Sequence, residues 1–113
     1  MSERNPFGGT ITHLSPAEVH QGLADGTILL VDVREPNEIQ AERIPGAQTL
    51  PLSRFDPAAL PDPQGKRLVF SCRSGQRSQQ AAAVAQKAGL PYEEHMKGGI
   101  IGWREAGFEV ERG

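Results

Sequence analysis

The chain has 113 residues, of which 37% are hydrophobic and 23% are charged, and its formal net charge is −2. This length predicts one globular domain, and the scattered basic residues exclude the continuous positive surface that nucleic-acid binding requires. No apolar run approaches the ~20 residues that cross a bilayer, and the first residues lack the hydrophobic segment of a secretion signal, so we expect a cytoplasmic protein without membrane contact. Residues 1–9 contain one proline and two glycines, and they predict a flexible lead-in to a domain of residues 10–113.

Strand and helix signals alternate through the first half of the domain. Ser15 is a helix N-cap residue, Pro16 suits the first helical position, and Glu18 completes a capping box. These cues predict a helix that ends at the Asp25-Gly26 turn. Residues 28–33 form an apolar, β-branched run, which is typical of a strand buried on both faces. The weaker predictions are strands at residues 10–13 and 47–50 and short helices at residues 36–42 and 56–60.

The second half continues the alternation. Residues 67–71 predict a second buried strand that runs directly into Cys72, and a helix is predicted from the end of the following loop to about Ala88. The buried face of that helix is predicted to contain Ala81, Val84, Ala85 and Ala88. Residues 92–96 predict an edge strand, and residues 100–106 predict a last helix.

This alternation decides the predicted fold class. The connections between successive strands are too long for hairpins, so we predict an α/β domain with three α/β/α layers and a mostly parallel central sheet. In such sheets, ligands bind beyond the carboxyl ends of the strands. The rule singles out residues 32–35 and residues 71–73 as candidate site segments.

Cys72 is the only cysteine in the chain, which excludes an intramolecular disulfide and fits a reducing compartment. It lies between a buried strand and a helix, and a compact loop at a helix N-terminus directs several backbone N–H groups inward. Gly75 permits unusual backbone angles, and Arg73 and Arg77 add positive charge. These features stabilise a thiolate and attract an anionic substrate, and they disfavour Cys72 as a mere core residue. We therefore predict a nucleophilic cysteine in an anion-binding loop.

The histidines give no indication of a metal site. His13, His20 and His95 are far apart in the sequence, and no pair has the spacing of metal ligands. We therefore predict no metal and no cofactor. No internal repeat, low-complexity tract or linker long enough to divide the chain is found in the sequence.

Four segments resemble signatures of the rhodanese domain family, and they occur in the family's order. Together they cover the chain from about Thr10 to Glu111, and their joint occurrence is far more specific than any one of them. One departure is Glu42-Arg43, where the family often has Gly-His. The four segments are Val31-Asp32-Val33-Arg34-Glu35, Ile44-Pro45-Gly46-Ala47, Cys72-Arg73-Ser74-Gly75-Gln76-Arg77-Ser78 and Gly98-Gly99-Ile100-Ile101-Gly102-Trp103.

The resemblance implies a parallel sheet with flanking helices. It also implies transfer of a sulfane sulfur, typically from thiosulfate, through a cysteine persulfide to cyanide or another thiophilic acceptor. Cys72 would be the nucleophile, and no general base would be needed because its thiolate is already ionised. The residues implied for binding the donor anion and the persulfide are Arg73, Ser74, Gly75, Gln76 and Arg77.

The residues implied as supporting ones near the site are Asp32, Arg34 and Ser78. Asp32 has an alternative interpretation, because an acid at the end of a strand can simply bond loop amides or a nearby arginine. The implied partners are a small anionic sulfur donor and a thiophilic acceptor, either of which can be a protein. We expect a monomer.

Two other interpretations remain open. Related phosphatases and arsenate reductases also hold a cysteine in an anion-binding loop, but they need five residues between the cysteine and the arginine. Only four separate Cys72 from Arg77, and Ser71 stands where those phosphatases usually have histidine. The second alternative is a binding module that receives or delivers persulfide sulfur with a protein partner.

Overall fold

A computed structural model describes residues 2–113, which contain one six-stranded sheet and four α-helices. The strands are β1 (Ser2–Arg4), β2 (Thr10–Leu14), β3 (Ile28–Asp32), β4 (Gln48–Thr49), β5 (Arg67–Ser71) and β6 (Glu94–Met96). The helices are α1 (Pro16–Asp25), α2 (Pro36–Ala41), α3 (Gln76–Lys87) and α4 (Gly99–Glu105). Short 3₁₀ turns occur at Leu52–Arg54 and Pro57–Ala59.

The strand order of the sheet is β1-β2-β6-β5-β3-β4, and the pairings are parallel except that between β1 and β2. This order confirms the predicted mostly parallel sheet. β3 and β5 lie side by side although α2 and β4 separate them in sequence, and Asp32 is paired with Ser71 in the register. The carboxyl ends of these two strands therefore meet, and they carry the two segments that the sequence singles out.

Apolar clusters cover both faces of the sheet. Val31 and Phe70 belong to the cluster beneath α3, whereas Leu30, Val69 and Trp103 belong to the cluster beneath α1 and α4. Successive residues of a strand point to opposite faces, so β3 and β5 are buried on both sides, as their apolar runs predict. The three-layer α/β/α arrangement is confirmed.

Helix α1 begins as its sequence predicts. The Ser15 hydroxyl accepts a hydrogen bond from the Glu18 N–H at 3.1 Å, and the Glu18 carboxylate accepts one from the Ser15 N–H at 3.0 Å. The two bonds satisfy N–H groups that the first helical turn leaves without partners. Gly26 ends the helix in the left-handed conformation.

The N-terminal residues differ from the predicted flexible lead-in, because β1 pairs antiparallel with β2. Asn5 and Gly9 close the tight turn between them, with the Gly9 carbonyl accepting from the Asn5 N–H at 2.9 Å. The Asn5 side chain is buried and donates to the Gln79 carbonyl of α3 at 2.8 Å. The N-terminal segment is polar, and Asn5 attaches it to α3 through a residue 74 positions away in the sequence. Sequence patterns do not reveal such a distant partner.

Two further details correct the predictions. β6 lies between β2 and β5 and is not an edge strand; its polar residues find partners inside the sheet, with Glu94 paired to Arg67 and His95 hydrogen-bonded. The prediction for the buried face of α3 is wrong at two positions, because Val84 is 41% exposed and Ala88 is an exposed residue that follows the last helical turn. The helix is rotated relative to the predicted face, and its buried residues are Ser78, Ala81, Ala82 and Ala85.

Ser71 provides a test of the core. Its hydroxyl is fully buried, and within residues 2–113 it has no hydrogen-bond partner. Ser71→Ala removes a desolvated polar group, so we expect the free energy of unfolding to rise by about 1 kcal/mol. Urea titration monitored by circular dichroism measures this change as a higher midpoint with an unchanged slope.

The matched control is Ser78→Ala, because the Ser78 hydroxyl is equally buried but lies 2.7 Å from the His95 Nδ1. Loss of that bond is expected to lower the free energy of unfolding by about 1 kcal/mol. Equal losses of stability in the two variants would show that the Ser71 hydroxyl has a partner in solution.

Candidate functional site

The cysteine loop connects the end of β5 to the start of α3. The Val33 N–H donates to the Ser71 carbonyl at 2.8 Å, which continues the β3–β5 pairing past the last residues of both strands. Cys72 follows immediately, so its position is fixed by the centre of the sheet. The loop thus lies at the carboxyl edge of a parallel sheet, where the topology concentrates ligand sites.

The Cys72 sulfur is enclosed by its own loop. The residue is 1% exposed, and the Gly75 N–H donates to Sγ at 3.0 Å. The Ser78 Oγ lies 3.5 Å from Sγ on the other side. α3 begins at Gln76, and the first N–H groups of a helix carry partial positive charge without a partner inside the helix. The sulfur therefore lies beside a backbone N–H donor and the N-terminus of α3.

Two glycines let the backbone pack tightly around the loop. Gly75 has a φ of 104°, and a Cβ there would lie 3.2 Å from the Gly98 nitrogen. A Cβ on Gly99 would lie only 2.4 Å from the Cys72 carbonyl oxygen. The Gly98-Gly99 pair therefore serves the backbone geometry of this contact.

α4 holds the loop from behind. The Ile100 N–H donates to the Cys72 carbonyl at 2.9 Å, and the Ile101 N–H donates to the Arg73 carbonyl at 3.2 Å. The two carbonyls therefore point away from the sulfur and toward α4. The peptide groups of the loop are oriented by this contact as well as by α3.

Arg77 is bound by a carboxylate that sequence reasoning missed. Its guanidinium donates to both Glu38 oxygens, at 2.6 and 2.9 Å. This hydrogen bond lowers the pKa of Glu38 from 4.5 to about 2, and it raises the pKa of Arg77. The stabilisation from the pair is complete above a pH of about 4.5 and is lost as the pH falls through about 2. At neutral pH, Arg77 therefore presents a guanidinium whose charge is partly offset.

Asp32 and Arg34 form a buried ion pair beside the loop. The Arg34 Nη2 lies 2.8 Å from an Asp32 oxygen, and both side chains are almost completely inaccessible. The same Nη2 donates to the Glu42 carbonyl at 2.9 Å, which ties the end of β3 to the end of α2. Glu38, which binds Arg77, lies on α2. The Asp32–Arg34 ion pair therefore also helps to hold Glu38 in place. The contacts of Asp32 are those of the structural alternative, a nearby arginine and a loop amide.

The remaining loop side chains form the exposed rim: Arg73, Ser74 and Gln76. Within residues 2–113, no carboxylate forms an ion pair with Arg73. Its side chain lines a cleft of about 400 Å³ with Ile100, Ile101 and Arg104. The rim therefore offers one guanidinium without an acidic partner at the entrance to the loop.

The structure also brings together two histidines that the sequence separates by 82 residues. His95 is buried, and its Nδ1 lies 2.7 Å from the Ser78 Oγ. Burial and the neighbouring His13 lower the pKa of His95 from 6.5 to about 4, so its ring is neutral at neutral pH. The parallel register of β2 and β6 places His13 opposite His95. No local motif marks this pair, because it exists only through the strand order.

The family model of the rhodanese-like domain matches residues 15–106. That range includes α1, the cysteine loop and α4, which are the elements that build the site. The chain belongs to the rhodanese-like domain family. The predicted resemblance is thereby confirmed.

Curated relatives of this rhodanese-like domain include sulfurtransferases. A protein named sulfurtransferase from Allochromatium vinosum is 35% identical over 101 residues, which are 88% of this chain and 94% of that protein. An uncharacterized protein of Synechocystis is 39% identical over 95 residues, which are 84% of this chain and 53% of that protein. The chain thus spans nearly all of the first relative but only about half of the second.

Solved structures share the fold. A protein of unknown function from Rhodopseudomonas palustris, described as a possible tyrosine phosphatase, aligns with a TM-score of 0.74 and 33% identity over 89% of this chain and 85% of that chain. A thiosulfate sulfurtransferase from Pseudomonas aeruginosa aligns with a TM-score of 0.78 and 28% identity, over 91% of this chain and 20% of that chain. Similar folds therefore carry different proposed chemistries, and the site itself must decide between them.

Neither metal ligation nor a membrane span is found in the described part of the chain. Residues 2–113 contain no cluster of three histidine, cysteine, aspartate or glutamate side chains that could hold a metal ion. None of their helices combines the length and hydropathy needed to cross a membrane.

Proposed function

We propose that this rhodanese-like domain is a thiosulfate sulfurtransferase that carries sulfane sulfur as a persulfide on Cys72. The observation that supports the proposal most directly is the enclosed position of the Cys72 sulfur at the start of α3. There the sulfur accepts a hydrogen bond from the Gly75 N–H at 3.0 Å. A thiolate in that position is stabilised by fixed dipoles and remains a soft, strong nucleophile. The sulfurtransferase name of the Allochromatium relative supports the same chemistry.

In the first half-reaction, the Cys72 thiolate attacks the outer sulfur of thiosulfate. A new S–S bond forms at Sγ, the S–S bond within thiosulfate breaks, and sulfite leaves with the electron pair. Arg73 at the rim and the partly exposed Arg77 offset the negative charge of the sulfonate group. The loop residues from Arg73 to Arg77 then surround the persulfide, whose negative charge the N–H groups stabilise.

In the second half-reaction, a thiophilic acceptor attacks the outer sulfur of the persulfide. The bond to Sγ breaks, and the Cys72 thiolate leaves with the electron pair. Cyanide gives thiocyanate, and a thiol acceptor gives its own persulfide. Neither step needs a cofactor. One monomer contains all the residues that the reaction uses. A reducing compartment such as the cytoplasm would keep the Cys72 thiol free.

Mass spectrometry tests the proposal directly. After incubation with thiosulfate and removal of excess donor, the intact protein is expected to gain the mass of one sulfur atom, located on the peptide that contains Cys72. Addition of cyanide should remove that mass and release thiocyanate in equal amount. The proposal fails if neither thiosulfate nor a small persulfide ever adds sulfur to Cys72.

Arg77 is expected to contribute to donor binding. Arg77→Ala should raise the KM for thiosulfate by about tenfold, because one charge-assisted hydrogen bond is worth roughly 1.5–3 kcal/mol. Steady-state thiocyanate formation at varied thiosulfate measures the effect. The matched control is Arg54→Ala, since Arg54 is an exposed arginine of a 3₁₀ turn. A KM equal to that of the control would remove Arg77 from the donor site.

The Rhodopseudomonas neighbour raises phosphatase activity as a second candidate. Four residues between Cys72 and Arg77 make a smaller loop than the five-residue spacing of the related phosphatases. The shorter spacing favours a donor whose terminal sulfur alone enters the loop over a phosphate held inside it. Parallel assays with an aryl phosphate and with thiosulfate distinguish the two activities, and we expect turnover of thiosulfate alone.

The third candidate is a persulfide-transfer module, which exchanges sulfur with a protein partner. It uses the same Cys72 persulfide and differs only in the donor or the acceptor. Two results together would favour the persulfide-transfer module. They are a persulfide on Cys72 in protein purified directly from cells and a very high KM for thiosulfate. We expect thiosulfate to load the cysteine readily.

A further inference from the structure

A continuous chain of hydrogen-bonding groups leads from the Cys72 sulfur to the surface. The Cys72 Sγ lies 3.5 Å from the Ser78 Oγ, which lies 2.7 Å from the His95 Nδ1. The His95 Nε2 lies 2.7 Å from the His13 Nδ1, and the His13 Nε2 lies 2.7 Å from a Glu3 carboxylate oxygen. We call Ser78, His95, His13 and Glu3 the relay chain.

Burial changes steadily along the relay chain. Ser78 and His95 are buried, the His13 side chain is 28% exposed, and the Glu3 side chain is 64% exposed. The far end of the chain is therefore in contact with solvent, while its near end touches the enclosed sulfur. It leaves the site through β6, β2 and β1, on a different side from the Arg73 rim and its cleft.

The sheet itself positions the two rings. β2 and β6 are parallel neighbours with His13 opposite His95, and β1 adds Glu3 beside β2. The His95 ring also lies near the cysteine loop, since a Cβ on Gly75 would be 3.7 Å from the His95 Cε1. Each imidazole uses both of its nitrogens, so the four distances form one path without a gap.

The bonds of this path are consistent with two proton arrangements. With a Cys72 thiol, Ser78 donates to the His95 Nδ1, the His95 Nε2–H donates to the His13 Nδ1, and the His13 Nε2–H donates to Glu3. With a thiolate, the first two of these bonds reverse, and Ser78 donates to the sulfur. His13 then carries protons on both nitrogens and still donates to Glu3. Every group has a partner in either arrangement.

We propose that the relay chain takes the thiol proton of Cys72 to His13, so that the nucleophile ionises without releasing its proton into the enclosed loop. The S–H proton moves to Ser78 as the hydroxyl proton moves to the His95 Nδ1, and the His95 Nε2 proton moves to the His13 Nδ1. Charge is conserved, because a neutral thiol and a neutral imidazole become a thiolate and an imidazolium. His13 and His95 are positioning residues, since neither touches the donor.

The charged groups around the path agree with His13 as the resting place of the proton. His95 is held neutral by burial, which lowers its pKa to about 4. His13 is partly exposed and faces the Glu3 carboxylate, so a positive charge there is both solvated and paired. Of the cations near the sulfur, Arg77 is paired with Glu38 and Arg34 with Asp32, whereas Arg73 is exposed to solvent at the rim.

This inference rests on the proposed function only in that Cys72 acts as a thiolate, and the alkylation rate that decides it is measured without a sulfur donor. The rate of Cys72 alkylation by iodoacetamide is measured across pH for the wild type, His13→Gln, Glu3→Gln and His20→Gln. Glutamine keeps a hydrogen-bonding group but cannot accept the proton. His20→Gln is the matched control, because His20 is exposed and stacks on Phe108 away from the relay chain.

We expect the alkylation midpoint of His13→Gln to rise by about one pH unit, the size of effect that one opposite charge has on a thiol. Glu3→Gln should shift it in the same direction by less, and His20→Gln should leave it unchanged. The pH profile of thiocyanate formation by His13→Gln should move to higher pH by the same interval, with a loss of up to about tenfold below the midpoint and recovery above it. A merely structural role would lower the rate at every pH without moving the midpoint.

The inference is overturned if the midpoint in His13→Gln equals that of the wild type, or if His20→Gln shifts it equally. Glu3→Gln alters only an exposed side chain, so it keeps the test decisive if His13→Gln folds poorly. An unshifted midpoint in Glu3→Gln would then reject the inference. The midpoint could also shift in a protein that no donor loads with sulfur. That result would reject the proposed function but support the proton transfer along the relay chain.

Discussion

Replacement of Cys72 by alanine is expected to reduce thiocyanate formation by roughly 10³-fold or more, to the rate of the uncatalysed reaction. The reason is that no other side chain of the loop can hold a sulfane sulfur covalently. Cys72→Ser should be equally inactive, because an alkoxide is not formed at neutral pH and its oxygen does not take sulfur from thiosulfate. The assay is incubation with thiosulfate and cyanide, followed by colorimetric detection of thiocyanate.

The fold of both variants should survive. Cys72 is a small buried residue beside the apolar cluster beneath α3, and the loop backbone is held by α4 through the Cys72 and Arg73 carbonyls. Circular dichroism and thermal unfolding provide the control for folding. Full turnover by a well-folded Cys72→Ala protein would show that the sulfur carrier lies elsewhere.

The largest loss of stability is expected from Arg34→Met. This change leaves the Asp32 carboxylate buried without its cation and removes a donor from the Glu42 carbonyl. Breaking a buried ion pair from one side lowers the free energy of unfolding by about 3–5 kcal/mol. Urea unfolding measures the loss.

Two controls separate burial from charge. Arg112→Met removes an arginine whose side chain is 71% exposed and whose pairing distance to Glu42 is 3.5 Å, so we expect a change within about 0.5 kcal/mol. The double variant Asp32→Leu with Arg34→Met removes both charges and should recover much of the single variant's loss. If Arg34→Met and Arg112→Met cost the same, the buried pair is not what holds β3 to α2.

The elements that sequence patterns predict well are those whose cause is local. The capping box of α1 lies within four residues, and β5 is bounded by residues 67–71 in both the prediction and the structure. The cysteine loop is equally local, because Gly75 and the start of α3 follow Cys72 directly. Such features depend on neighbours in sequence, so composition and spacing suffice to predict them.

Features that depend on the strand order could not be predicted in the same way. β6 carries the polar residues Glu94 and His95, and only its place between β2 and β5 supplies their partners. The Arg77–Glu38 contact joins residues 39 positions apart on different helices. Sequence reasoning from Cys72 reaches Arg77 because the arginine is nearby, but it gives no sign of the carboxylate that binds it.

The contact between α4 and the cysteine loop limits which substrates this fold can acquire. The Cys72 and Arg73 carbonyls are fixed by successive N–H groups of α4, and Gly99 leaves no space for even a methyl group between them. A residue inserted next to Cys72 or Arg73 would displace these carbonyls from α4 unless the helix moved with them. A wider pocket is therefore compatible with this docking only if the added residue lies in the exposed part of the loop, at Ser74 or Gln76.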